Sequence, residues 1–313
     1  MRLDKNWIKR LGAGAVFGLI ACGLARAAAL PVTAQLEKDQ ITIRVGGKLF
    51  TRYLFGPKEK YPHFYPVIGP LSGRSVTVRG AQPYPHHRSL FLGCDRVNGG
   101  NYWQQGLERG QIVAVETRLA RKGDRAAVIE QRCRWQRPGQ RPVFDDQRRI
   151  TISAPAPDLR ALDFEFVLTA LQPARILRSN HAWFAARMAP DLAVKGGGHL
   201  VNAEGADGEK ATFGKRSPWM DAWGRRPEGV EGLAILTHPD NPWHPCTWFT
   251  RDYGFFSPSP MYWLPGGELR LDTGKSLRLK YRVIVHGGKL TKEAIQALLA
   301  RWTAKEGEPG GKR

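Results

Sequence analysis

Cysteine is scarce in this chain, four in 313 residues, and no two stand in a CxxC or zinc-ligand spacing. Disulfide-dense scaffolds, thioredoxin-like redox motifs and zinc ribbons are therefore excluded. Long apolar runs are scarcer still: after Leu24 no stretch approaches the ~20 apolar residues that a membrane-spanning helix needs. Acidic residues are few, 28 Asp and Glu against 48 Lys and Arg, for a formal charge of +20. Such a balance would suit nucleic acid. Yet the basic residues are spread along many strand-like segments, with no basic helix and no nucleic-acid-binding motif, so no nucleic-acid partner is expected. Solubility, attraction to anionic envelope surfaces or an acidic substrate account for the charge instead.

The first 29 residues read as a leader. Lys5, Lys9 and Arg10 form a basic n-region, Leu11 to Leu24 an apolar h-region, and Ala25-Arg26-Ala27 and Ala27-Ala28-Ala29 offer small-x-small cleavage sites. Leu19-Ile20-Ala21-Cys22 also fits a lipoprotein box that would lipidate Cys22. The expectation is an exported, periplasmic protein, with a lipid-anchored envelope protein as the alternative and no other membrane contact. Cleavage removes five Lys/Arg and one Asp, taking the charge from +20 to +16. Cys94, Cys133 and Cys246 remain, of which one pair could join in an oxidising compartment. Cys133 alternates with Ile129, Gln131 and Trp135 and reads as a buried strand thiol.

From Gln40 onward alternation dominates. Ile41, Ile43 and Val45 share a strand face, and Gly46-Gly47 turns the chain into Lys48–Phe55. Val113 to Leu119, Ala126 to Trp135, Leu162 to Leu168 and Leu277 to Val285 repeat the period of two, the mark of half-buried antiparallel strands. The expected fold is all-β: a single antiparallel β-sandwich domain over residues 30–305, with a polar, disordered tail at 306–313. One helix is predicted near the C-terminus, on the sheet edge. Thr291 is its N-cap, and Ile295, Leu298, Leu299 and Trp302 form its apolar stripe. Trp135, Trp183 and Trp302 read as packing residues.

Four segments, 57–74, 80–105, 196–228 and 238–266, read as long Pro/Gly/aromatic loops, which are uncommon unless functional. They concentrate histidine and tryptophan. Adjacent His86 and His87 in a loop can both reach one ligand, whereas on a strand they would face opposite sides. Asn180-His181 with Arg187, Trp219 to Gly224 around Asp221, and His238 to His244 are the other clusters. His238-Pro239 and His244-Pro245 also suit strand ends, and His286 a satisfied position.

The ordered set Tyr61–Pro70, His86-His87-Arg88-Ser89, Asn101-Tyr102-Trp103, Asn180-His181, Trp219–Gly224, His238-Pro239-x-Asn241, Trp248–Gly254 and Tyr281–Gly287 resembles the DUF6807 family, bacterial proteins often labelled "methane oxygenase PmoA". The resemblance runs over roughly residues 40–305 and implies a β-sandwich similar to the galactose-mutarotase supersandwich. It also implies carbohydrate chemistry, since the family often accompanies sugar-modifying oxidoreductases. The segment QPYPHHRS departs from the family's DHPHH, with Gln82 and Tyr84 where an acid would orient the first histidine. Membrane methane oxygenase subunits cross the bilayer several times, which this chain does not suit.

The favoured reading is a carbohydrate-active enzyme (epimerase, lyase or hydrolase) acting on a sugar or sugar acid. His86, His87 and His181 would supply acid/base groups and Asp221 would orient or abstract, with Asp95, Glu108 and Glu204 as alternative acids. Arg88, Arg187 and Arg251 would hold a carboxylate or hydroxyls. Trp103, Trp219 and Trp223 would stack on a sugar ring, with Asn180, His238 and Asn241 as further binding groups. A non-catalytic carbohydrate-binding protein is the first alternative. The second is a copper or zinc protein; no cofactor is predicted, but His86, His87 and His181 would be the ligands of a metal if one binds.

Overall fold

The architecture is a computed structural model describing residues 28–304. Leader residues 1–27, with the lipoprotein box at Cys22, and the tail 306–313 lie outside the described residues. Two large antiparallel sheets carry the fold. The first runs, edge to edge, through Arg216–Ser217, Cys246–Arg251, Phe255–Pro258, Ala182–Arg187, Leu90–Cys94, His63–Val67, Lys48–Leu54, Gln40–Val45, Val32–Leu36 and Gly123–Asp124. The second runs through His199–Asn202, Trp219–Arg226, Gly229–Thr237, Ser276–Gly287, Leu159–Ala170, Phe144–Ala156, Ala126–Gln136 and Gln111–Arg121.

Alternation in sequence becomes alternation in burial. Ile41, Ile43 and Val45 are buried while Arg44 is exposed. Val45 pairs with Lys48 across Gly46 and Gly47, at φ 56° and 77°, the left-handed geometry of a two-residue hairpin turn. Between the sheets, Phe64 meets Phe164 edge-on at 5.6 Å and Phe184 stacks on Tyr281 at 4.8 Å.

A polar network is sealed into this apolar layer. Asp146 and Arg148, at 0% and 2% side-chain exposure, pair at 2.6 Å, and Trp135 Nε1 donates to the same carboxylate at 2.9 Å. Arg148 Nη1 donates to Tyr53 Oη (3.3 Å), and that hydroxyl donates to Gln131 Oε1 (2.6 Å). Tyr53 belongs to the first sheet and the others to the second, so the network ties the layers together.

The helix forms as its stripe predicts, over Lys292–Ala304, with Ala294 N donating to Thr291 Oγ1 at 3.2 Å. Its position differs from expectation: Ile295, Leu299 and Trp302 pack on Trp219, Ala161, Ala234, Leu236 and Ile284. It therefore covers the outer face of the second sheet rather than an edge. Trp135 and Trp183 are fully buried, and Cys94, Cys133 and Cys246 are free buried thiols, so no pair of them is joined. Among the described residues, no helix is long and apolar enough to cross a membrane.

All four of the expected loops contain strands: within 57–74 lies His63–Val67, and within 80–105 lies Leu90–Cys94. Within 196–228 lie His199–Asn202 and Trp219–Arg226, and within 238–266 lie Cys246–Arg251 and Phe255–Pro258. Several candidate site residues are thereby moved off loops and onto sheet faces.

Candidate functional site

The site is founded on the strand Leu90–Cys94. Leu92 pairs with Phe184, whose ring lies in the core. By alternation Phe91 and Gly93 face the opposite way, out of the sandwich. Trp103 lies on that outer side, 4.7 Å from Phe91. A Cβ at Gly93 would stand 2.7 Å from Tyr102 O, so only glycine lets the 101–105 segment lie flat on the strand. The buried Lys60 pins the neighbouring loop by donating to Gly106 O at 2.5 Å, and burial pushes its ammonium down to about 8.

Asp95 is the next residue on that outer face. The ladder closes at Cys94–Ala182, and one step further Asp95 N donates to His181 O at 3.1 Å. The two side chains then meet, His181 Nδ1 to Asp95 Oδ2 at 3.0 Å. A carboxylate accepts, so the contact selects the neutral tautomer with its proton on Nδ1 and its lone pair on Nε2. Asp95 Oδ1 is buried with no further partner among the described residues.

His86 and His87 join this pair from the loop before the strand. The His86 ring is 5.9 Å from His181 and 4.5 Å from His87, edge-on to both. His87 is 3% exposed, stacked on Phe255 at 4.4 Å and on Tyr84 at 5.2 Å. Burial, then the neighbouring His181 and Arg88, pushes His86 down to about 4. Burial, then His86, Arg187 and His181, pushes His87 down to about 2. Both imidazoles are thus neutral at neutral pH. Tyr84 contributes a ring: it stacks on Tyr253 at 4.8 Å.

A cavity of about 550 Å³ opens beside the pair, lined by Asp95, His181, Asn180, Asn101, Gln104 and the arginines 96, 109 and 137 among others. No local pattern in the sequence distinguishes these arginines from the many others. They converge from the turn after the strand, a single 3-10 turn at Leu107–Arg109, and the end of the strand Ala126–Gln136.

Of the residues expected at the site, His86, His87, His181, Asn180, Arg88, Arg187 and Trp103 gather here, with different tasks for some. Trp103 is fully buried, 5.5 Å from His181, so it backs the histidine rather than offering a free face to a sugar. Arg187 lies over the Tyr253 ring at 4.3 Å, and its Nη1 donates to Tyr253 O. Arg88 Nη2 reaches Gln105 Oε1 at 3.5 Å.

The remainder lie elsewhere, because the strand Trp219–Arg226 sends Trp219, Asp221 and Trp223 to the outer face of the second sheet. There Asp221 Oδ1 is bonded to His286 Nε2 at 3.0 Å, and His286 is fully buried with its pKa raised by that carboxylate against the cost of burial. Trp219 packs under the terminal helix, and Trp223 is stacked by His199 at 4.1 Å with the Lys289 ammonium 4.9 Å from its ring. His238 packs edge-on to Trp302 at 4.8 Å, and Asn241 exchanges two hydrogen bonds with the Lys280 backbone. Arg251 pairs with Glu209 and lies over Phe249. His244 Nδ1 meets Thr237 Oγ1 at 3.0 Å. Among the described residues, no group of three or more His, Cys, Asp or Glu is arranged to hold a metal ion.

The buried imidazoles make stability acid-sensitive. Burial pushes His63 down to about 3, as it pushes His87 down to about 2. The unfolded chain titrates these histidines near ~6.5, so below that pH it binds protons that the folded chain refuses. Their stabilisation is complete above about pH 6.5 and falls with pH by at most about 1.4 kcal/mol per unit for each. His286, with its raised pKa, acts oppositely and loses its contribution as pH rises above ~6.5. Thermal unfolding followed by circular dichroism should show Tm falling steadily from pH 6.5 to 4.5; a flat Tm would contradict the neutral, buried state of these rings.

The sequence matches the DUF6807 family, described as a family of unknown function, over residues 40–300. No curated protein sequence matches the chain. Solved structures that it is similar to include a GH36 alpha-galactosidase from Geobacillus stearothermophilus in complex with raffinose, at 9% identity and TM-score 0.39, covering 82% of this chain and 41% of that one. An alpha-galactosidase from Lactobacillus brevis gives 9% identity and TM-score 0.35 over 82% and 39%. A galactose mutarotase related enzyme from Lactobacillus acidophilus gives 10% identity and TM-score 0.29 over 83% and 100%. The chain spans about two-fifths of the length of the two alpha-galactosidases. With the family match extending from residue 40 to residue 300, this chain belongs to the DUF6807 family.

Proposed function

We propose that the protein is an exported carbohydrate-active enzyme in which His181, oriented by Asp95, moves a proton to or from a sugar derivative bound in the adjoining cavity. The observation that carries this reading is the 3.0 Å contact between His181 Nδ1 and Asp95 Oδ2 at the wall of a cavity of about 550 Å³. An imidazole fixed in one tautomer by a carboxylate is the usual arrangement of a general base. Asn101, Asn180 and Gln104 supply the amide donors and acceptors that a hydroxyl-rich ligand requires. The neutral His86 ring beside His181 offers a second hydrogen-bonding group without competing for charge.

The test is incubation of the purified protein with a panel of hexoses, hexuronates and their glycosides in deuterated water, followed by proton NMR. Deuterium entering a carbon position, or a new product, is the expected result. A second reading, binding without turnover, is favoured by one observation: of the three clustered imidazoles only His181 has a carboxylate partner among the described residues. Saturable binding with neither exchange nor product would establish that reading in place of the first. Export rests on the leader's composition, and amino-terminal sequencing of the mature protein after fractionation tests it.

A further inference from the structure

We propose that the ligand is a carboxylated sugar, whose carboxylate is held by Arg96, Arg109 and Arg137 beside the Asp95–His181 pair. This rests on His181 as the proton-moving group and names the substrate class of the same cavity. The charge lining the cavity is unbalanced: three guanidinium groups face a single acid, Asp95, whose Oδ2 is already bonded to His181. Elsewhere arginines of this chain meet carboxylates, as in Arg79–Glu59 and Arg282–Asp163. Arg96, Arg109 and Arg137 make no ion pair among the described residues. The side-chain bonds of Arg96 and Arg137 to the main chain go to carbonyl oxygens, Arg178 O and Asn98 O respectively.

The backbone is bent to bring them together. Val97 and Gly100 exchange backbone hydrogen bonds around Asn98 and Gly99, at φ 49° and 74°. Arg96 itself sits at φ 53°, a left-handed conformation that residues with a side chain seldom adopt. A Cβ at Gly100 would stand 3.0 Å from Arg137 Cδ, so the missing side chain lets Arg137 lie across the turn. Arg137 Nε is buried there without a partner among the described residues. Planar guanidinium forks suit a carboxylate, which two parallel N–H bonds can grip.

The juxtaposition also selects a reaction. A carboxylate on the arginines brings the carbon bearing it into the cavity that His181 also lines. His181 Nε2 takes the hydrogen on that carbon as a proton, and the C–H electron pair passes into the carboxylate, where the arginines offset the added charge. Delivery of a proton to the opposite face of the carbon by a solvent water, with the proton on His181 released to solvent, completes an epimerisation. Departure of a substituent from the neighbouring carbon with its bonding pair instead leaves a double bond between the two.

The test is isothermal titration of the full chain with glucuronate, galacturonate and mannuronate, with their methyl esters, and with galactose 6-sulfate. At least one hexuronate should bind tenfold or more tighter than its ester and than the sulfate. Arg137→Gln and Arg109→Gln should each cut that advantage tenfold or more, read as the ratio of acid to ester affinity within the same variant. Equal binding of acid and ester, tighter binding of the sulfate, binding of no hexuronate, or an advantage that survives both substitutions overturns the proposal. If the acid preference holds but no deuterium exchange depends on His181, the carboxylate subsite stands and the proton-transfer reading falls. If exchange depends on His181 but occurs on neutral sugars alone, proton transfer stands and the carboxylate subsite falls.

Discussion

Replacing Asp146 by Ala should destabilise the fold by about 3–5 kcal/mol, the cost of leaving a buried charge without its partner. Arg148 is 2% exposed, and its guanidinium donates to Asp146 through both Nε and Nη2. The substitution also strips Trp135 Nε1 of its acceptor. Against a typical total of about 5–15 kcal/mol, such a loss takes from about a fifth of the stability to nearly all of it. Urea unfolding at neutral pH measures it directly. The paired change Asp146→Leu with Arg148→Met removes both charges and should recover most of the loss, because apolar replacement of a whole buried pair is often neutral or better. A loss under about 1 kcal/mol for Asp146→Ala would mean that the charges are far better solvated than their burial allows.

Replacing His181 by Gln should lower turnover by about 10²–10⁴-fold, the usual contribution of a positioned general base. Asp95→Asn should fall within the same range although it removes no atom from the imidazole, because an amide nitrogen next to Nδ1 favours the tautomer with its proton on Nε2. The two losses should not add: with His181 already Gln, Asp95→Asn costs little more, since residues acting as a unit fail together. Single-turnover rates on the substrate found by exchange NMR test this. Additive losses would mean that the two side chains serve separate steps. His286→Gln, on the opposite outer face, should leave the rate constant unchanged.

The elements most legible in the sequence are those whose signal is local. The hairpin at Gly46-Gly47 and the helix capped by Thr291 each depend on neighbouring residues, and both form where the pattern predicts. Residue type and loop composition point to the convergence of His86, His87 and His181. In the sequence Asp95 is only one of several acids. Its selection depends on the register of Leu90–Cys94 against Ala182–Arg187, a long-range property that no local pattern encodes. The three cavity arginines are scattered for the same reason. Glycine and tryptophan around Trp219, Asp221 and Trp223 suggest a loop, and there the local signal misleads. In a strand the same spacing puts all three on one face, and that face meets a helix far along the chain.

Backbone bonds tie the cavity walls together: Tyr102 N to Cys94 O, Asn101 N to Arg109 O, Asn98 N to Arg175 O and Leu177 N to Arg96 O. Main-chain bonds survive changes of side chain. Selection can therefore exchange the lining residues among descendants of this fold while the hollow itself persists, so ligand preference is free to drift faster than shape. Proteins with the same walls and a different set of arginines would then share an ancestor without sharing a substrate.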